Sequence, residues 1–198
     1  MRVLARDFFF GGYIMPFSSI VLAVFALVII VVTGIYNGLV KARNLALEGW
    51  SGIDVQLKRR ADLIPNLIEA VKGYMGHEKG VLEKVTEMRA QAMKAMDPAE
   101  RGKAEGMLSG ALGKLFAVAE NYPDLKASQN FQELQKTLAD TEDQIQLARR
   151  YYNGATRNLN IKIQSFPSNL VAGMFNFQEM KFFELENPAD RNAPKAAF

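Results

Sequence analysis

The sequence predicts an all-α protein: an N-terminal single-pass transmembrane helix followed by an elongated antiparallel bundle of about four helices. Three observations carry that prediction. No charged residue occurs between Asp7 and Lys41, a stretch of 33 positions. Beyond it, apolar residues recur at three- and four-residue steps, the period of an amphipathic helix. Between Phe131 and Leu159 they recur every seventh residue, the spacing of long helices packed side by side. A chain of 198 residues has room for one domain and an anchor.

The anchor comes first. Phe17 to Thr33 reads FSSIVLAVFALVIIVVT, and roughly 20 apolar helical residues suffice to cross a ~30 Å hydrocarbon core. We place the span at residues 15–36, behind a short tail of residues 1–14. A cleaved signal peptide fits less well: the apolar run exceeds the usual ~7–15 residues and no small-x-small cleavage site follows. Arg2 and Arg6, partly offset by Asp7, precede the span, while Lys41, Arg43, Lys58, Arg59 and Arg60 follow it. That balance leans towards a cytoplasmic C-terminal domain. Gly34, Gly38, Ala42 and Ala46 lie four apart and share one helix face, with Gly34 and Gly38 forming G-x-x-x-G. They are candidates for a self-association seam. The alternative reading is a flexible exit from the membrane.

The bundle is expected over residues 37–186. Ala46, Trp50, Ile53, Leu57, Ile64, Leu67, Ile68, Val71 and Met75 continue the first helix, with no Gly–Pro break between it and the span. Pro65 should kink that helix, since it removes a backbone donor and crowds the preceding turn. Gly73, Gly76 and Gly80 surround a corner near His77, after which Val81, Leu82, Val85, Met88 and Ala92 mark helix two. Asp97-Pro98-Ala99-Glu100 is a helix start with an acidic N-cap and proline at the first position. Helix three carries Gly102, Gly106, Gly110 and Gly113, so either a neighbouring backbone approaches closely or its first half is weak. Asn121-Tyr122-Pro123-Asp124 ends it. Helix four carries the heptad seam Phe131, Leu138, Ile145, Tyr152 and Leu159, and Phe166-Pro167-Ser168 stops it. A short aromatic segment follows, then a tail over residues 187–198 that reads as disordered.

Chemistry is sparse. There is no cysteine and a single histidine, which leaves no thiolate nucleophile and no His-pair metal site. A net charge of +3 from interspersed acids and bases gives no footprint for nucleic acid. Residues 106–114, GMLSGALGK, fail as a phosphate loop because Leu108 stands where a glycine is needed and Leu115 where Ser or Thr is needed. We therefore expect no catalytic, metal or cofactor residues and a protein that is not an enzyme. Asp54, Asp62, Glu69 and Glu78, mixed with Lys58, Arg59, Arg60 and Lys72, read as ion pairs on a solvated face. Arg149, Arg150, Tyr151, Tyr152 and Asn153 place large polar groups beside the seam, as for hydrogen bonds between helices. Phe175, Phe177, Phe182 and Phe183 either cover the end of the bundle or form a patch for membrane or partner.

Several blocks carry a resemblance: YNGLVKARN (36–44), WSGIDVQLKRRADLIPNL (50–67), VKGYMGHE (71–78), ARRYYN (148–153) and SFPSNLVAGMF (165–175). Together they resemble the LemA family of bacterial membrane proteins, from the membrane exit to about Glu186. Leu159 departs from the family pattern, which has an aromatic residue there. The family positions that match are Tyr36, Asn37, Arg43, Asn44, Asp54, Arg60, Asp62, Pro65, Asn66, Arg149, Tyr152, Asn153, Phe166 and Pro167, candidates for interaction rather than catalysis. The resemblance implies a short external N-terminus, one anchor in the bacterial inner membrane and a cytoplasmic helical bundle. It brings no established catalytic activity. Members are associated with the membrane metalloprotease HtpX, and a magnetosome-membrane protein is similar to the family. The expected function is thus a membrane-anchored scaffold that self-associates as a homo-oligomer and organises membrane or a membrane complex. The alternative is an adaptor or regulator of a membrane protease in envelope quality control.

Overall fold

A computed structural model describes residues 17–76 and 78–184. The expected tails at 1–14 and 187–198, and His77, lie outside the described residues. The described residues form six helices and no strand: α1 (Phe17–Lys72), α2 (Lys79–Lys94), α3 (Pro98–Ala119), α4 (Pro123–Ala127), α5 (Gln129–Gln164) and α6 (Ser168–Met174).

α1 runs for 56 residues without interruption, joining the apolar stretch to the bundle with no break at residue 36. None of its most apolar window is buried against the rest of the chain. Burial begins at Leu39 and then recurs along one face through Ala42, Ala46, Gly49, Ile53 and Leu57 to Val71. The first part of α1 is therefore long and apolar enough to cross a membrane, while the second is one wall of the bundle. At 1.5 Å per residue, the part beyond Tyr36 extends roughly 54 Å.

α5 returns along α1, and its heptad residues Phe131, Leu138, Ile145, Tyr152 and Leu159 are all buried. The remaining helices divide the rod into two regions. Far from the apolar stretch, Ile64, Leu67 and Val71 of α1 share one core with Val85 and Met88 of α2, Leu108 and Leu115 of α3, Leu125 of α4 and Phe131 and Leu138 of α5. Nearer the stretch α1 and α5 run on as a pair, joined only at its end by the short α6, and two helices cannot enclose a core. Residues 176–184 run back over their groove as an extended strap, contributing Met180 and Phe183 to the core.

Local signals account for most boundaries. The Asp97 carboxylate accepts from Ala99 N–H at 3.0 Å and from Glu100 N–H at 3.4 Å, as an N-cap should. Tyr122-Pro123 does end α3, but Pro123 also opens the five-residue α4, whose Leu125 seals the distal core. The short aromatic segment expected after Pro167 opens with a helical turn, α6, at whose start Ser168 Oγ lies within hydrogen-bond reach of the carbonyls of Lys162 and Ser165. The Phe166–Pro167 peptide is cis. Of the helix-three glycines, Gly102 shows the close approach: a β-carbon there would lie 2.2 Å from the Glu184 carbonyl oxygen, so the strap's end requires the missing side chain. Gly110 and Gly113 face open space.

Candidate functional site

The strap is held by its main chain. Asn160 Nδ2 donates to the Met180 carbonyl at 2.9 Å, and Met180 N–H donates to Asn160 Oδ1 at 3.0 Å. One heptad earlier, Asn153 repeats the arrangement on Phe183, with 2.9 Å in each direction. Tyr152 O–H donates to the Lys181 carbonyl at 2.7 Å, and burial raises the phenol's pKa above its usual value. Each asparagine offers one donor and one acceptor, so it satisfies an extended residue as a neighbouring β-strand would. Tyr152 and Asn153 were expected to bridge helices. Their polar atoms bond to the strap instead, which lies over the α1–α5 groove there. Phe183 is fully buried among Trp50, Tyr152, Ile53 and Leu57, so it belongs to the core and not to an exposed patch. Lys181 Nζ donates to Asp97 Oδ2 at 2.8 Å, tying the strap to the start of α3.

A buried charge cluster lies next to the strap's end. Arg60 of α1 pairs with Glu105 of α3 and, at 2.6 Å, with Glu142 of α5; its Nη1 also donates to Ser109 Oγ at 2.9 Å. Arg101 Nε donates to the other Glu105 oxygen at 3.0 Å, and a further nitrogen lies 3.8 Å from Asp54. Arg60 was expected on a solvated face, but only 2% of it is exposed, because α3 lies across it. Glu105, between two guanidiniums, compensates much of the desolvation that burying them costs. Asp62, Pro65 and Asn66 are exposed on the opposite side of α1, and Asp62 and Asn66 line a shallow groove with Lys58 and Arg59. No group of three or more metal-ligating side chains occurs among the described residues.

The small-residue stripe is largely occupied within the chain. Ala42 and Ala46 are buried against Leu159 and Ala155 of α5. Gly38 faces Lys162, whose Nζ donates to the Gly38 carbonyl at 3.4 Å. Gly49, not singled out from the sequence, continues the stripe: a β-carbon there would meet the Tyr152 backbone at 3.0 Å. Small side chains on α1 let α5 approach, so Ala42 and Ala46 are not free for a second copy. Gly34 alone keeps open space around it.

At the start of the bundle α6 packs on α1. Val171 and Ala172 cluster with Leu39, and Val32, Ile35, Ile163 and Phe177 close around them. The Tyr36 ring lies 4.8 Å from that of Phe175 and 5.8 Å from that of Phe177. Exposed Arg43 and Asn44 line the adjoining groove with Tyr36 and Phe175, while Asn37 is exposed beside it. Phe177 and Phe182 are both partly buried. Phe166 and Pro167 are exposed at the turn. Arg149 and Arg150 line a separate groove of about 500 Å³ with Arg157 and Glu184, against the edge of the strap.

Comparison with known proteins places this architecture. Magnetosome protein MamQ 1 of Paramagnetospirillum magneticum is 26% identical over 180 residues, a match covering 78% of this chain and 66% of that protein. MamQ of Magnetospirillum gryphiswaldense is 24% identical over the same length. The chain thus spans slightly under two thirds of these magnetosome relatives. Protein LemA of Metamycoplasma hominis is 28% identical over 158 residues, covering 78% of this chain and 71% of that protein. The LemA family profile matches residues 49–198, which hold α1 from Gly49 onward with α2 to α6, the buried arginines and the asparagine-clamped strap, and the chain belongs to the LemA family.

Proposed function

We propose that this protein is a membrane-anchored, non-enzymatic scaffold that self-associates and organises membrane or a membrane complex, with its bundle on the cytoplasmic side of the bacterial inner membrane. The observation that carries this reading is the unbroken α1, 56 residues that begin as an apolar stretch and end inside the bundle core. Movement or tilt of the anchor is thereby passed directly to the rod. Relatives named as magnetosome proteins support a reading in which the chain organises membrane. Orientation is supported by Lys41, Arg43 and Lys162, which gather where the bundle meets the stretch.

Because Ala42 and Ala46 serve the internal α1–α5 contact, self-association would run through the exposed face around Gly34. The mass of the full-length chain in a mild native detergent tests this. A discrete assembly that becomes smaller in Gly34→Leu is expected; a monomeric wild-type chain would remove self-association from the reading. The adaptor alternative has one specific support, the groove of Arg149, Arg150 and Arg157, which would suit an acidic segment of a partner. Cross-linking from that groove in intact cells that recovers only lipid or nothing would count against it.

A further inference from the structure

We propose that α6 is a second membrane contact, a foot whose exposed apolar side chains seat in the interfacial layer of the bilayer that α1 crosses. The proposal rests on the reading of α1 as a span and adds a site to it. Phe166, Leu170, Met174 and Phe175 are 80%, 60%, 76% and 51% exposed, although α6 buries Val171 and Ala172 on its other face. Leu170 and Met174 stand four apart and therefore stack on one side of the helix. Four large apolar side chains gathered at one end of the rod form a patch that water does not favour.

Height selects lipid as the occupant. Counting roughly 20 residues from Phe17 brings the apolar stretch to Tyr36. α6 packs on Val32, Ile35 and Leu39, which straddle that level. The outward face of α6 therefore lies where headgroups meet acyl chains, the depth at which an amphipathic helix buries its apolar side by about 5–10 Å. Charge agrees. No charged residue occurs between Lys162 and Glu179, so seating the turn in the interface desolvates no charged side chain of its own. Lys41 and Lys162 line one groove just beyond the foot, and Arg43 lines the next with Tyr36 and Phe175. An apolar foot bordered by cations suits a surface of anionic phospholipid. With two contacts, the anchor and the foot, the rod could neither spin about α1 nor tilt freely.

The natural chain lacks cysteine, so single probes can be placed cleanly. Three full-length variants, Met174→Cys, Val28→Cys and Met96→Cys, would carry an environment-sensitive fluorophore. Each would be reconstituted in vesicles of three parts phosphatidylcholine to one part phosphatidylglycerol containing a nitroxide-labelled lipid. Met96 is 85% exposed before α3 and reports water; Val28 lies within the stretch and reports lipid. The expected result is that the probe at 174 is quenched several-fold more than at 96 and approaches the probe at 28. Quenching at 28 with none at 174 would overturn the foot while leaving the span intact. Absence of quenching at 28 as well would overturn the span and the foot together.

Discussion

Arg89 Nε donates to the Ala61 carbonyl at 2.7 Å, and that carbonyl is the one Pro65 leaves without a partner. In an uninterrupted helix the N–H of residue 65 would bond to it, but proline has none. α1 continues through Pro65 all the same, and α2 supplies the missing donor from 28 positions away in sequence. The sequence motif that contains Pro65 is therefore tied to α2 through a backbone vacancy. Arg89→Met should orphan the carbonyl and destabilise the fold by about 1–3 kcal/mol. Pro65→Ala in the same chain would restore the helical bond and recover most of the loss. A double-mutant cycle by urea denaturation checks the coupling; additive effects would show that Arg89 contributes through packing alone.

The asparagine clamp makes a sharper prediction. Asn153→Ala removes both bonds to Phe183, and Asn160→Ala both bonds to Met180. Neither substitution opens a hydrophobic cavity, so the loss should be local: faster amide exchange at 180 and 183, with the distal core unchanged. Asn153→Asp keeps the acceptor but points a second oxygen at the Phe183 carbonyl, and should loosen the strap at least as much as alanine. Hydrogen exchange resolved by residue distinguishes these outcomes from global unfolding.

How far the fold could be read in advance depended on whether a feature has a period. The heptad Phe131 to Leu159 is buried at every position, as its spacing requires. Asp97-Pro98 starts α3 because capping chemistry is local. The strap has neither period nor cap. It is recognised by Asn153 and Asn160 through peptide groups that every sequence possesses, and the signal that could have revealed it is the seven-residue spacing of two asparagines beside a seam. Phe183 and Phe175 lie close together in sequence, yet one is fully buried and the other half exposed; only the path of residues 176–184 separates them. Likewise, the spacing of Gly34, Gly38, Ala42 and Ala46 says that a helix comes close. It does not say whether that helix belongs to the same chain.

Glycines on α3 offer a paired test. Gly110→Ala, with open space around it, should stabilise the protein by up to about 1 kcal/mol through helix propensity. Gly102→Ala has the same local advantage, but its β-carbon would collide with the Glu184 backbone. It should therefore be neutral or destabilising and should raise exchange at the strap's end. Equal stabilisation by both would mean that the strap's end yields freely.

Asp97 and Lys181 give the strap a pH dependence of known sign. The hydrogen bond from Lys181 lowers the Asp97 pKa, and the bond to Asp97 raises that of Lys181. A carboxyl with a depressed pKa contributes stability above its unfolded value and loses it as pH falls through the folded one. An amine with a raised pKa contributes below its unfolded value and loses it as pH rises through the folded one. Strap docking should therefore be flat between about pH 4 and about pH 10 and weaken on both sides. Both groups are accessible to water, so added salt should also weaken the contact. Trp50, the sole tryptophan, is a built-in reporter, with its ring 6.1 Å from that of Phe183. Asp97→Asn keeps an oxygen to cap α3 while removing the charge that faces Lys181. In that variant the acid and alkaline changes in Trp50 emission should both shrink. Unchanged limbs would assign them to other groups.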